Sequence, residues 1–260
     1  MAQRYFIRLA YNGAYFHGWQ SQPYDISVQT VVEDALRKVF RYRLSVTGAG
    51  RTDAGVNART MYAHFDLERP FDPDNTANYI HKINSIVGRD ITVYDIRPVH
   101  SEAHARFDAV ARTYKYFVDV ERSPFAYYFS WQCHYDLDFE AMNRAAARLL
   151  QYSDFTSFSK LHSDAKTNIC RVDYAQWERI DDGRWVFTIT ADRFLRNMVR
   201  AVVGTLIDVG KGKAGEGHIR TVMSKMDRCG AGTSMPAHAL FLWDVEYPYP
   251  LWTNNQTELL

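Results

Sequence analysis

A short loop over residues 48–56 brings together the residue types that could carry out chemistry. It contains Gly48, Gly50 and Gly55 together with Arg51 and Asp53. Glycines let a loop approach a ligand closely, and surface loops often carry function. A neighbouring cation favours the ionised form of a carboxylate, which can act as a nucleophile, a general base or a stabiliser of positive charge at a sugar carbon. The loop alone supports equally well an aspartate that only caps a turn beside a local ion pair.

A second group of polar and aromatic residues alternates along one predicted strand. Arg112, Tyr114 and Tyr116 fall on the same face of it, because side chains two residues apart point the same way. Such a face could stack a nucleobase while the cation holds a phosphate. Packing against a neighbouring strand is the more common explanation of the pattern.

Two arginines are predicted to lie on one side of a helix in the second half of the chain. Arg196 and Arg200 are four residues apart, and Arg200 falls beside the apolar stripe of that helix. A half-buried arginine requires a carboxylate partner, yet the nearest acid before Arg200, Asp192, precedes the helix. We therefore predict a partner from the other half of the chain, with Asp53 as the candidate.

The elements that must position these residues follow the same order twice. In the first half, residues 5–9, 44–47, 61–67 and 91–96 have the pattern of strands, and residues 28–40 and 74–86 that of helices. In the second half, residues 110–120, 171–179, 185–190 and 240–247 have the strand pattern. Residues 139–150 and 198–207 have the helix pattern, and residues 219–226 predict an extra helix.

This order, β-α-β-β-α-β, is that of the ferredoxin-like split unit. We predict an α/β (α+β) protein made of two similar ferredoxin-like, RNP-like halves with largely antiparallel sheets. The predicted halves are residues 1–103, with the Asp53 loop, and residues 104–260, with Tyr114 and Arg200. A cleft between two such halves is a favoured place for a site.

The composition limits the classes of function. The 260 residues carry a net charge of +1 and are 47% hydrophobic, as in an ordinary globular protein. Without a membrane-length apolar run or a secretory signal, we expect a cytoplasmic protein with no membrane association. The three cysteines lack zinc spacing, and neither a P-loop nor an HExxH motif is present, so we expect no metal. Local basic clusters could bind RNA, although a solvated surface is the more common explanation.

Several segments, in order, resemble the tRNA pseudouridine synthases of the TruA type. The loop Gly50-Arg51-Thr52-Asp53-Ala54-Gly55-Val56 is similar to the family's signature. The other similar segments are Phe16-His17-Gly18-Trp19-Gln20, His104-Ala105-Arg106-Phe107, Arg112-Thr113-Tyr114-Lys115-Tyr116, Asp154-Phe155-Thr156-Ser157-Phe158, Phe194-Leu195-Arg196-Asn197-Met198-Val199-Arg200, Val203-Gly204 and Pro236-Ala237-His238-Ala239-Leu240.

The resemblance implies an isomerase that converts uridine to pseudouridine in the anticodon stem-loop of tRNA, at positions 38, 39 and 40 of the tRNA. It implies a homodimer that uses no cofactor and no metal. It also implies a role for five residues: Asp53 as the catalytic aspartate, Arg200 as its basic partner, Tyr114 against the target uracil, Arg51 holding the flipped nucleotide, and Leu240 as an apolar wall of the uracil pocket.

The chain departs from the family's usual pattern outside these five positions. Asn57 stands where histidine is frequent, Ser234 and Met235 replace Thr-Ala, and Ala239 replaces glycine. These differences concern the shape of the loops and of the uracil pocket. Two other functions remain open at this point: an RNA-binding module without activity, and a uridine nucleosidase that releases free base.

Overall fold

One mixed sheet runs through the whole protein. The computed structural model describes residues 2–160 and 166–251, and in these ranges it contains nine strands and five α-helices. The strands are β1 (Gln3–Tyr11), β2 (Thr47–Gly48), β3 (Asn57–Leu67), β4 (Ile91–Pro98), β5 (Ala111–Asp119), β6 (Trp131–Gln132), β7 (Val172–Asp181), β8 (Arg184–Ala191) and β9 (Leu240–Glu246). The helices are α1 (Val28–Phe40), α2 (Thr76–Val87), α3 (Phe139–Ala146), α4 (Met198–Gly210) and α5 (His218–Lys225).

The two halves of the sheet share one strand order. The first half runs β4-β1-β3-β2 and the second runs β9-β5-β8-β7. Apart from the two-residue strand β6, which pairs with β5, each half has four strands: the last lies beside the first, followed by the third and the second. Helices connect the first strand to the second and the third to the fourth. This is the arrangement of the ferredoxin-like split unit, so the predicted fold is confirmed.

The halves meet where β3 pairs with β9 in parallel. Paired residues of neighbouring strands direct their side chains to the same face of a sheet. A row of paired residues therefore crosses the centre of the sheet from the first half to the second. The row consists of Tyr11, Ala58, Leu242 and Tyr114.

The helices pack on the face of the sheet that carries this row. Alternation along β1 places Ile7 and Leu9 on that face, where they share one buried core with Val32 and Leu36 of α1. On the opposite face, Phe6 forms a small separate core with residues of the two segments that follow β4 and β9. The Asp53 loop lies on this same helical face, where the Thr52 hydroxyl contacts that of Tyr11 in the central row.

β2 and α3 differ from the prediction; in addition β3 begins at Asn57 rather than at residue 61, and β6 was not predicted. Residues 44–46 do not form a strand, and β2 contains only Thr47 and Gly48. The reason is that side chains of α1 take the backbone hydrogen bonds of Val46: Glu33 accepts from its N–H at 2.9 Å and Gln29 donates to its carbonyl at 3.0 Å. The helix predicted over 139–150 ends at Ala146 and continues as a tighter 3₁₀ turn, a common ending of an α-helix.

The connection between the halves spans residues 99–110, between β4 and β5. The predicted division into residues 1–103 and 104–260 falls inside this connection, and its position stays a prediction. Among the helices of the described ranges, none combines the length and the apolar character needed to cross a membrane.

Candidate active site

The Asp53 loop is fixed by backbone hydrogen bonds on both sides. Before the aspartate, the Ala49 N–H donates to Tyr62 O on β3 at 2.7 Å. After it, the Val56 N–H donates to Asp53 O at 3.1 Å and closes a tight turn. Gly55 adopts a positive φ of 78° within that turn, a conformation that glycine accepts readily. The loop therefore presents Asp53 from a rigid frame.

The segment that precedes α1 lies directly against this loop. The Trp19 N–H donates to Thr52 O at 3.2 Å, and the Thr52 hydroxyl is 2.8 Å from the buried Tyr11 hydroxyl. Gly18 has a positive φ of 87°, and a Cβ there would lie 2.4 Å from Thr52 O. Glycine at position 18 lets this segment approach Thr52 closely, and Thr52 is the residue next to Asp53.

Asp53 faces two arginines of the second half. Arg200 Nη1 lies 3.7 Å from Asp53 Oδ2, and Arg196 Nε lies 3.7 Å from Asp53 Oδ1. These distances are those of ion pairs rather than of direct hydrogen bonds. The carboxylate side chain is 25% exposed. It is therefore held between two positive charges and stays accessible to a ligand.

The two arginines differ in how they are held. The Arg200 side chain is 20% exposed, and its Nε donates to Met235 O at 2.5 Å. The Arg196 side chain is 60% exposed. Arg196 lies before α4 rather than on it, because Asn197 at the N-cap has a left-handed φ of 66°. The prediction that both arginines project from one helix was therefore wrong, although both reach the same carboxylate.

Close packing of α4 against residues 231–235 orients Arg200. A Cβ on Gly204 would lie only 1.9 Å from Thr233 O, so the helix and that segment touch backbone to backbone. The Met235 N–H in turn donates to Arg200 O at 3.2 Å. The carbonyl that accepts from the Arg200 guanidinium is thus attached to the helix that carries it.

Tyr114 is buried on β5, in the central row of the sheet. Its ring meets Phe194 edge to face, with 5.0 Å between the ring centres. Burial raises the pKa of the Tyr114 hydroxyl above its usual range, and the charge of Asp53 raises it further. The phenol consequently stays neutral, and it is close enough to Asp53 to feel its charge.

More arginines lie close to the Asp53 loop. Arg106 lies within electrostatic reach of two other arginines. These are Arg51, which is exposed on the Asp53 loop, and Arg193, which precedes α4. Desolvation lowers the pKa of the Arg106 guanidinium, and these two positive charges lower it further. An accumulation of cations beside one carboxylate suits a polyanionic ligand.

Leu240 begins β9 and is buried, paired with Tyr116 one row away from Leu242 and Tyr114. It thus lies in the apolar layer next to Tyr114, and its part in a uracil pocket stays a prediction. In residues 2–160 and 166–251, no group of three His, Cys, Asp or Glu side chains is arranged to hold a metal ion.

Asn57 is a buried residue whose contacts the sequence did not predict. Its side chain accepts from the Gly13 N–H at 2.8 Å and donates to His238 O at 2.7 Å. The His238 ring in turn lies 3.0 Å from Ser130 O. Asn57 therefore connects the end of the Asp53 loop to the turn before Leu240. The departure from the family's frequent histidine was the sequence signal that marked this position.

Comparison with known proteins gives consistent matches. Residues 145–248 match the family model described as "tRNA pseudouridine synthase". The chain is 53% identical to "tRNA pseudouridine synthase A" of Bacteroides fragilis, over 96% of this chain and 98% of that protein. The protein of the same name from Bacteroides thetaiotaomicron is 53% identical, over 97% and 94% of the two chains. That of Bacillus pumilus is 34% identical, over 92% and 97%.

Proposed function

The chain belongs to the tRNA pseudouridine synthase A family, and we propose that it isomerises uridine to pseudouridine just 3′ of the anticodon in tRNA. The observation that carries the proposal is the convergence of Arg196 and Arg200 from the second half on Asp53 of the first, each at 3.7 Å. The two cations fix the direction of the carboxylate, and a carboxylate held in this way can act at a sugar carbon.

The reaction breaks the glycosidic bond at N1, rotates the uracil and joins its C5 to C1′ of the sugar. A base inside a stacked helix cannot undergo these steps, so the nucleotide must first be flipped out at a cost of a few kcal/mol. Arg51 is exposed on the loop that carries Asp53, a suitable place to hold the displaced nucleotide. Arg106 lies within electrostatic reach of both Arg51 and Arg193, and Arg106 and Arg193 suit the phosphates on either side of that nucleotide.

Asp53 is the proposed catalytic residue. Two routes are compatible with its position: the carboxylate bonds covalently to the nucleoside, or it removes a proton from the sugar and stabilises positive charge there during cleavage. In both routes Arg200 keeps the carboxylate aimed at the sugar. The contact of Arg200 with Met235 O supports this role, because it fixes the guanidinium at one end while the other end faces Asp53.

Tyr114 is proposed to hold the detached uracil. Its neutral phenol ring lies near Asp53 in the row that joins the two halves. A flat aromatic surface lets a planar base turn without escaping, because contact between the faces is kept during rotation. Leu240, in the neighbouring apolar layer, is proposed as a wall of the same pocket.

The function is tested with tRNA tritiated at C5 of uracil, since isomerisation replaces that tritium by a bond to carbon. We expect the protein to release tritium into water, with no free uracil. Asp53→Asn should abolish release and leave tRNA binding nearly unchanged. Asp182→Asn, in the exposed turn between β7 and β8, is the matched control and should keep full activity.

Two outcomes would contradict the proposal. Release of free uracil would identify a nucleosidase instead, and binding of tRNA without any tritium release would identify an RNA-binding module. Substantial turnover by Asp53→Asn would show that another residue carries out the chemistry.

We also propose that the protein acts as a cytoplasmic homodimer. Light scattering should then give about twice the mass of one chain, which is 30.2 kDa. A mass of one chain at working concentration would exclude the homodimer.

A further inference from the structure

One arginine connects three loops around the candidate site through backbone carbonyls alone. Arg112 Nη1 donates to Ala109 O at 2.8 Å and to Asp192 O at 2.7 Å. Its Nη2 donates to Ala49 O at 3.0 Å and to Arg106 O at 2.6 Å. Four acceptors from three separate segments thus meet at one guanidinium.

Each of these segments leads to a residue of the candidate site. Ala49 lies four residues before Asp53, and its N–H is already bound to β3. The segment that contains Arg106 places a cation close to Arg51 of the Asp53 loop. Asp192 precedes Arg196 and the start of α4. The Arg112 side chain therefore lies between the loop that carries the carboxylate and the segment that leads to its arginines.

The chemistry of the side chain suits this use. A guanidinium is planar and presents its N–H groups in a fixed fork, whereas a lysine ammonium offers donors from one point. Burial lowers the pKa of Arg112, and arginine nonetheless stays protonated in proteins. The four N–H groups on its two terminal nitrogens match the four carbonyls in number. Their fixed directions then determine how far apart the three segments lie.

Arg112 also shares its strand face with Tyr114, two residues further along β5. Its guanidinium contacts carbonyls rather than the Asp53 carboxylate, so its influence on Asp53 is indirect. We propose that Arg112 is a positioning residue that sets the distance from Asp53 to Arg196 and Arg200. This inference rests on the proposed function and adds a residue to it.

The test compares Arg112→Lys and Arg112→Met with Arg179→Lys, an exposed arginine paired with Asp182 at the far end of β7. A misplacement of about 1 Å costs on the order of 100-fold in rate. We expect both Arg112 variants to lose about 100-fold in the single-turnover rate of tritium release at saturating enzyme. The Kd for tRNA should change less than about threefold, and Arg179→Lys should match the unaltered protein.

Hydrogen exchange provides a readout that does not depend on activity. In Arg112→Lys, amides of the Gly48–Val56 loop and of residues 192–197 should exchange faster, and those of β7 should not change. Arg112→Lys serves if Arg112→Met does not fold. Unchanged exchange in these two segments would overturn the inference, as would a rate loss matched by an equal loss of tRNA binding. If the unaltered protein releases no tritium, the proposed function fails while exchange still decides the role of Arg112.

Discussion

Arg200 and Arg196 contact the same carboxylate at the same distance but differ in exposure. The effect of solvent exposure on an ion pair can therefore be separated from the effect of distance. At 3.7 Å, a pair of unit charges interacts by about 4 kcal/mol at an effective dielectric constant of about 20. For Arg196, 60% exposed, solvent reduces this value to about 1 kcal/mol or less. For Arg200, 20% exposed and bound to Met235 O, we expect about 2 to 3 kcal/mol to remain.

The proposed chemistry needs an ionised and correctly aimed Asp53, so these energies should appear in the rate. Arg200→Gln should reduce the single-turnover rate of tritium release by roughly 30- to 150-fold, and Arg196→Gln by about fivefold or less. Enzyme in excess over tRNA, at saturating concentration, separates the rate from any change in tRNA affinity. Arg200→Lys retains the charge without the fork geometry and should give an intermediate loss.

Salt gives an independent check on the same reasoning. The exposed Arg196 pair should be screened by added salt, while the more buried Arg200 pair should be less sensitive. The ratio of the Arg196→Gln rate to the unaltered rate should therefore approach one as salt rises, under saturating conditions. Equal losses for Arg196→Gln and Arg200→Gln would refute the reasoning, since distance alone would then set the contribution.

Three further predictions concern stability and the loops. Gly204→Ala should lower the free energy of unfolding by about 1 to 3 kcal/mol, measured in urea, because its Cβ would overlap Thr233 O. Burial lowers the pKa of His64 to about 4, and its Nδ1 accepts from the Ala105 N–H at 3.1 Å. The unfolded chain, with a histidine pKa of about 6.5, binds the proton more tightly, so this stability is present above about pH 6.5 and is lost as the pH falls toward 4. His64→Gln should thus narrow the difference in unfolding free energy between pH 7.5 and pH 5 by about 2 kcal/mol, and an unchanged difference would exclude His64 as its source. Asn57→Ala, which leaves the Gly13 N–H and a carbonyl without their partner, should lower the melting temperature and slow tritium release; a normal rate would show that the connection to the turn before β9 is dispensable.

Much of the fold follows from local patterns, which is why it could be predicted. Alternation along β1 and the helical spacing of α1 are properties of neighbouring residues, and the repeated element order then specifies the split unit. The bounds of β2 could not be predicted, because they depend on Glu33 and Gln29 of α1 taking the hydrogen bonds of Val46. That competition lies between residues 13 or more positions apart, where sequence periodicity carries no signal.

The site was predictable to the extent that a residue lacked a local partner. Arg200 beside an apolar stripe has no acid within reach on its own helix, and the structure brings it to Asp53. The approach of Arg196 depends on the left-handed backbone of Asn197, the N-cap of α4, which leaves Arg196 outside the helix. Arg112 was predicted to lie on a stacking or packing face. Its role in joining the loops was missed because its actual partners are carbonyls. Every residue has a carbonyl, so such acceptors leave no trace in sequence.

The contacts around Asp53 join the two halves of the molecule as well as the site. Parallel pairing of β3 with β9 connects the halves within the sheet, and above the sheet several side chains connect them again. Arg112 reaches Ala49, Asn57 reaches His238, and Arg200 faces Asp53. Each connection has one end on the Asp53 loop or at its border. The relative position of the halves and the geometry of the carboxylate are therefore set by the same contacts, and a change that loosens the halves should reduce the rate before it unfolds the protein.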